Sequence, residues 1–99
     1  MSSTKIKVAI RSFKDKLIKL CYPSLSDAFS IESHLTIQER ICLNKLSRDK
    51  KFILEIGSYI GASAVCFALN STSWKKIICI DTWNNDAMSE GYRDTWNEF

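Results

Sequence analysis

The sequence predicts an α/β fold organised around one β-α-β unit with two parallel strands. Three observations predict it. Phe52-Ile53-Leu54-Glu55-Ile56 and Lys76-Ile77-Ile78-Cys79-Ile80 are short apolar runs of strand length. Between them, a loop bounded by Gly57 and Gly61 leads into the small, apolar segment from Ala62 to Asn70. An acid, Asp81, closes the second run, 24 residues after Gly57.

The elements follow in chain order. Residues 5–21 read as a basic amphipathic helix, with Ile6, Ile10, Phe13, Leu17 and Leu20 recurring at spacings of three and four. Lys5, Lys7, Arg11, Lys14, Lys16 and Lys19 fill much of the remainder. A solvated basic face is the preferred reading over contact with an anionic membrane. Nucleic acid is not expected, because no base-reading motif accompanies the charge. Pro23 disfavours helical geometry at Tyr22 and ends the helix. Residues 23–35 read as a loop or linker, and His34 within it as a surface histidine. Residues 1–34 are thus expected to stand apart from a domain spanning 35–99.

Thr36-Ile37-Gln38-Glu39 is a capping box, in which the Thr hydroxyl and the Glu carboxylate each satisfy a free N–H at the helix start. The helix it opens should run to about Ser47, with Ile37, Ile41, Cys42 and Leu46 turned inward. The near-continuous apolar run from Phe52 to Ile56 predicts a strand buried on both faces, as central parallel strands are. The next helix is expected from Ala62 to Asn70, with Asn70 to Trp74 as the return loop. Tyr92, Trp96 and Phe99, at spacings of four and three, predict a last helix.

Composition sets limits. The chain has 99 residues, enough for one small domain. It carries no apolar run of the roughly 20 residues that a membrane-spanning helix needs. The start of the chain is a poor secretory signal, so the Asn70-Ser71-Thr72 glycosylation pattern reads as an ordinary turn, and the expected setting is cytoplasmic. Cys21, Cys42, Cys66 and Cys79 form no C-x-x-C pair and lie among apolar residues, which predicts buried, reduced thiols and no metal site. Residues 1–50 carry ten Lys/Arg against five Asp/Glu, and residues 51–99 four against six, so the positive excess lies away from the glycine loop.

In open α/β sheets ligands bind beyond the C-terminal ends of the strands, which makes the loop from Gly57 to Gly61 the expected site. Gly57 permits a sharp turn at the strand end, and Gly61 leaves room for a ligand or for close packing of helix on strand. The following helix start offers free N–H groups. Asp81 can accept the hydroxyls of a ribose. A nicotinamide-dinucleotide site fits less well. The fingerprint G-x-G-x-x-G/A fails at Tyr59, and Glu55 is an unfavourable neighbour for a diphosphate but a suitable one for a cation.

Glu55-Ile56-Gly57-Ser58-Tyr59-Ile60-Gly61 resembles motif I of the class I S-adenosylmethionine-dependent methyltransferases, usually written E/D-x-G-x-G-x-G. Ile80-Asp81-Thr82-Trp83 is similar to the acidic end of their second strand. The run from Leu35 to Arg40 is similar to the helix before motif I in the subgroup with LEIGSYxGxSA loops. Tyr59, at the middle glycine of the motif, is the departure. The resemblance covers residues 35–99 and implies a partial Rossmann-like methyltransferase fold that binds S-adenosylmethionine. It implies that backbone from Gly57 to Gly61 passes the cofactor and that Glu55 faces the methionyl ammonium. Asp81 would hold the ribose hydroxyls, Ser58 and Tyr59 would line the pocket, and Trp83 would either lie against the adenine region or pack in the core. No general base and no methyl acceptor can be read from these residues.

Two parallel strands make too small a sheet to stand alone, since parallel sheets are covered on both faces and usually have more strands. The sequence therefore reads as the N-terminal portion of a methyltransferase domain, carrying a cofactor half-site and inactive by itself. The alternative is a non-enzymatic remnant or interaction module whose sheet is completed by a partner chain.

Overall fold

The computed structural model describes residues 3–70, 74–86 and 88–99. Met1 and Ser2 at the chain start, and Ser71 and Thr72 of the Asn-Ser-Thr turn, lie outside the described residues. Helix α1 spans Ser3–Cys21, a 3₁₀ turn spans Pro23–Leu25, and α2 spans Ser26–Ser30. Helix α3 (Ile37–Ser47) leads to strand β1 (Phe52–Ile56), helix α4 (Ala62–Ala68), strand β2 (Lys76–Ile80) and the single turn α5 (Thr95–Glu98). β1 and β2 pair in parallel, with Phe52 opposite Lys76 and Ile56 opposite Ile80. The ladder extends one step beyond each end, through Lys76 N–H to Lys51 C=O and Gly57 N–H to Ile80 C=O, both 2.7 Å. This is a mixed helix and strand architecture with a two-stranded, open, parallel sheet.

The local signals produce their elements. The capping box forms: Glu39 N–H donates to Thr36 Oγ1 and Thr36 N–H donates to Glu39 Oε1, both at 3.1 Å. Residues 23–30 are helical rather than loop. Pro23 sits in the first turn of the 3₁₀ segment, where its missing N–H costs nothing, and Leu25 and Ala28 are buried beneath it. The last helix is only one turn long. Ahead of it, Arg93 N–H and Thr95 N–H donate to the carbonyls of Asn84 and Trp83, so this backbone is committed to the loop after β2.

Two expectations about burial are corrected. α3 buries Arg40, Ile41, Asn44 and Ser47, whereas Cys42 and Leu46 face outward. The reason is polar. Arg40 Nη1 donates to the carbonyls of Ala28 (2.7 Å), Phe29 (3.1 Å) and Ile31 (2.7 Å), and Asn44 Nδ2 donates to those of Cys66 (2.8 Å) and Leu69 (2.9 Å). These are carbonyls at the ends of α2 and α4, which helix geometry leaves without partners. Satisfying them turns α3 by its polar stripe. The strands, for their part, are covered on one face only. Ile53, Glu55, Ile77 and Cys79 are half-buried toward α4, whereas Phe52, Leu54, Ile56, Ile78 and Ile80 are exposed. The shortest dimension of the molecule is 18 Å, which accommodates one sheet and one layer of helices about 10–12 Å thick.

The core therefore lies among helices: Leu25, Ala28, Ile41, Ala64 and Cys66 meet between α2, α3 and α4. α1 buries none of its side chains, and its apolar stripe from Ile6 to Leu20 is exposed. The radius of gyration, 15.4 Å, exceeds the roughly 13 Å of a compact 100-residue domain, as this open arrangement requires. The four thiols are free, but only Cys66 is buried; Cys21 and Cys42 are exposed on the outer sides of their helices. Burial pushes the Cys66 thiol up. No described helix is long and apolar enough to cross a membrane.

Candidate functional site

β1 and β2 end side by side, and both hand over to loops with left-handed backbone turns. After β1 these fall at Gly57 (φ 85°), Tyr59 (φ 53°) and Gly61 (φ 100°). After β2 they fall at Trp83 (φ 64°) and Asn85 (φ 63°). A left-handed conformation is uncommon for a side chain as bulky as Tyr or Trp, so something must hold it. That something is Asp81. Its Oδ2 accepts from Tyr59 N–H at 2.8 Å and its Oδ1 accepts from Trp83 N–H at 2.9 Å. One carboxylate thus fixes both loops. Burial alone would raise its pKa, but the backbone N–H groups of Tyr59, Trp83, Thr82 and Ser58 outweigh that and hold it below the usual range.

The two loops form one side of a cleft of about 720 Å³, within the 300–1,000 Å³ typical of small-molecule sites. Gly57, Ser58 and Tyr59 line it from the first loop, and Asp81, Thr82 and Asn85 from the second. Ser33, His34, Leu35 and Glu39 close it from the segment that leads into α3. A Cβ at Gly57 would meet nothing within 4 Å, so the backbone there is open. The lining holds the acids Glu39, Asp81 and Asp86 together with His34, and among the described lining residues no Lys or Arg. The Thr36 backbone and side-chain groups keep the Glu39 carboxyl below its ordinary range. The cleft is therefore suited to neutral or cationic ligands and unsuited to anions.

Arg93 stands beside this cleft with its charge already engaged. Its Nη2 donates to Glu32 Oε2 at 2.9 Å and to Glu98 Oε1 at 2.6 Å, and its Nη1 donates to the Tyr59 hydroxyl. The guanidinium also lies 5.3 Å from the centre of the Tyr59 ring. The pKa of Arg93 is raised, and those of Glu98 and Glu32 are lowered, by these bonds. Tyr59 is thus pinned at its amide by Asp81 and at its hydroxyl by Arg93.

The seven sequence-derived site residues divide into two groups. Gly57, Ser58, Tyr59 and Asp81 converge on the cleft. Glu55, Gly61 and Trp83 are not among its walls. Glu55 accepts from the Ser63 hydroxyl at Oε2, while its Oε1 is buried without a protein partner; Ser63, which lines the cleft, separates the two. Gly61 backs onto Phe99, whose ring carbons Cδ2 and Cε2 stand 3.1 Å from where a Cβ would be. Trp83 packs edge-on against Trp96 and Phe99, with ring centres 5.2 and 4.9 Å apart. Trp96 and Phe99 are themselves exposed, so the three rings form a surface cluster beside the cleft.

Asn85 and Thr95 are cleft residues that the sequence did not single out. Asn85 is one of three consecutive polar loop residues, and Thr95 lies in the aromatic C-terminal segment; neither carries a spacing signal. Among the described residues no group of His, Cys, Asp and Glu is arranged to hold a metal ion. Comparison with known proteins finds no matching family model, no matching curated protein and no matching solved structure.

Proposed function

We propose that this chain carries the cofactor-binding half-site of an S-adenosylmethionine-dependent methyltransferase with a Rossmann-like fold. The observation that carries the reading is the acidic cleft at the C-terminal ends of two parallel strands, bounded by the glycine loop on one side and Asp81 on the other. The cofactor carries a sulfonium and an ammonium against one carboxylate, a net positive charge, which suits a lining of three acids without Lys or Arg. Asp81 spends two of about four lone-pair positions on backbone amides and keeps others for ribose hydroxyls. Glu55 lies behind Ser63 with one buried oxygen unpaired, a spare acceptor behind the wall.

When bound, the cofactor supplies a methyl group already activated on sulfur. The chain's own part is positioning: the pinned Tyr59 and open Gly57 backbone orient the ligand, and the segment from Ser33 to Leu35 shields it from water. No residue in the lining is assigned to a methyl acceptor, so the chain is read as binding the cofactor without turning it over. The free thiols suit a reducing, cytoplasmic setting.

A second reading has its own observation. The exposed sheet face of Phe52, Leu54, Ile56, Ile78 and Ile80 suits an interaction module completed by a partner. Titration calorimetry with S-adenosylhomocysteine separates the two. The first reading expects micromolar binding that weakens in Glu55→Gln while circular dichroism stays unchanged. A folded chain that releases no heat with this ligand leaves the module reading standing and removes the first.

A further inference from the structure

Helix α1 presents a complete amphipathic surface to solvent. Its apolar stripe of Ile6, Ile10, Phe13, Leu17 and Leu20 is exposed, Phe13 by 63% and Leu20 by 77%. The helix leans on α3 and the 3₁₀ turn, and Asp15 and Ile18 are its only half-buried side chains, so the stripe is turned away from the body. An apolar patch of this kind marks a contact surface. Charge frames it. At about 3.6 residues per turn, Lys7 and Lys14 run along one edge of the stripe and Lys5 and Lys16 along the other. Asp15, the only acid of the helix, lies opposite the centre of the stripe. Among the described residues, Lys7, Lys14 and Lys16 form no ion pair.

We infer that α1 lies flat on an anionic lipid bilayer, with the stripe among the acyl chains and the flanking lysines at the headgroups. Lysines at both edges can rest their methylene stems on the apolar boundary while their ammonium groups reach lipid phosphates and carboxylates. The 19 residues give a contact about 28 Å long in the plane of the membrane. The charge pattern decides against the other occupants. Two α1 stripes laid together would set lysine edges against lysine edges, which opposes pairing of two copies. The exposed sheet face of Phe52, Leu54, Ile56, Ile78 and Ile80 carries Lys76 and no acid, so it offers the helix no counter-charge. A nucleic acid would leave the stripe in water. An anionic bilayer satisfies both the stripe and its edges. This contact is independent of the cleft and of the ligand proposed for it.

The test is sedimentation of the 99-residue chain with vesicles of phosphatidylcholine, alone or with about one third phosphatidylserine. The chain should bind the mixed vesicles, bind the neutral ones at least about tenfold more weakly, and lose binding as salt rises from about 0.1 to 0.5 M. Lys7→Gln combined with Lys14→Gln should weaken binding about thirtyfold, and Phe13→Ser at least about tenfold. None of these side chains is buried, so both variants should keep the circular dichroism and melting temperature of the parent. Leu54→Ser, on the sheet face, should bind vesicles as the parent does. Failure of the folded chain to bind the mixed vesicles overturns the inference, as does equal binding to neutral ones. Undiminished binding by Phe13→Ser reduces the contact to charge alone and also overturns it. So does a loss confined to Leu54→Ser, which moves the contact to the sheet. A dimer that dissociates in Phe13→Ser, from a chain that leaves vesicles unbound, assigns the stripe to a second copy and overturns it too.

Discussion

Replacing Asp81 tests the central joint of the site. Its carboxylate accepts two backbone N–H groups, at 2.8 and 2.9 Å, and those bonds hold Tyr59 and Trp83 in left-handed conformations. A hydrogen bond to a charged group contributes about 1.5–3 kcal/mol. Asp81 is half-buried, so water can replace part of what is lost, and the lower end of that range applies to each bond. Asp81→Ala is therefore expected to cost about 3 kcal/mol, and Asp81→Asn, which keeps one acceptor, about half of that. For a domain of this size, 1 kcal/mol moves the melting temperature by roughly 4–8 °C, so Asp81→Ala should melt about 12–24 °C below the parent chain. Acid supplies a second arm. The folded-state pKa is depressed below the reference of about 3.9, so the contribution is fully present above the unfolded pKa and is lost as pH falls through the folded one. The gap between parent and Asp81→Ala should therefore be constant near neutral pH and close below about pH 4. Thermal melts followed by circular dichroism at several pH values read both arms. A neutral-pH difference of under about 3 °C, or a difference that persists undiminished in strong acid, would refute the account of Asp81 as the tie between the loops.

Three further outcomes follow from single contacts. Arg40→Ala should cost roughly 3 kcal/mol in urea unfolding, because it strands the buried Ala28 carbonyl and frees those of Phe29 and Ile31; a loss under about 1 kcal/mol would show that α2 is held by other means. Thr36→Ala removes the side-chain half of the capping box and should lower stability by about 1 kcal/mol, while Thr36→Ser should recover most of it. Gly61→Ala should destabilise by more than about 1 kcal/mol, since its φ of 100° disfavours any side chain and its Cβ would stand 3.1 Å from the Phe99 ring; Gly61→Ala combined with Phe99→Ala should relieve only the steric part.

Much of the secondary structure was legible because its signals are local. The capping box, the proline after α1 and the two apolar runs act within a few residues, and the strand bounds at Phe52–Ile56 and Lys76–Ile80 follow from them. The candidate site was legible where it depends on the chain at a strand end: Gly57, Ser58, Tyr59 and Asp81 do meet at one cleft. Burial was not legible in the same way. An apolar strand has the same sequence whether one face or two are covered, and α3 faces inward by its polar residues because the carbonyls it must satisfy belong to α2 and α4.

By itself the sequence determined that a strand, a glycine loop, a helix, a second strand and an acid follow one another, since each depends on dihedral preference and on hydrophobic spacing. Only the tertiary structure decided what those parts face. It turned Asp81 toward two backbone amides, set Trp83 and Gly61 against Phe99, and brought Asn85 and Thr95 to the cleft with Ser58. The physical reason is range. Hydrogen bonds between residues 81 and 59, or packing between residues 83 and 99, depend on how separate elements dock, and no spacing along the chain encodes that docking.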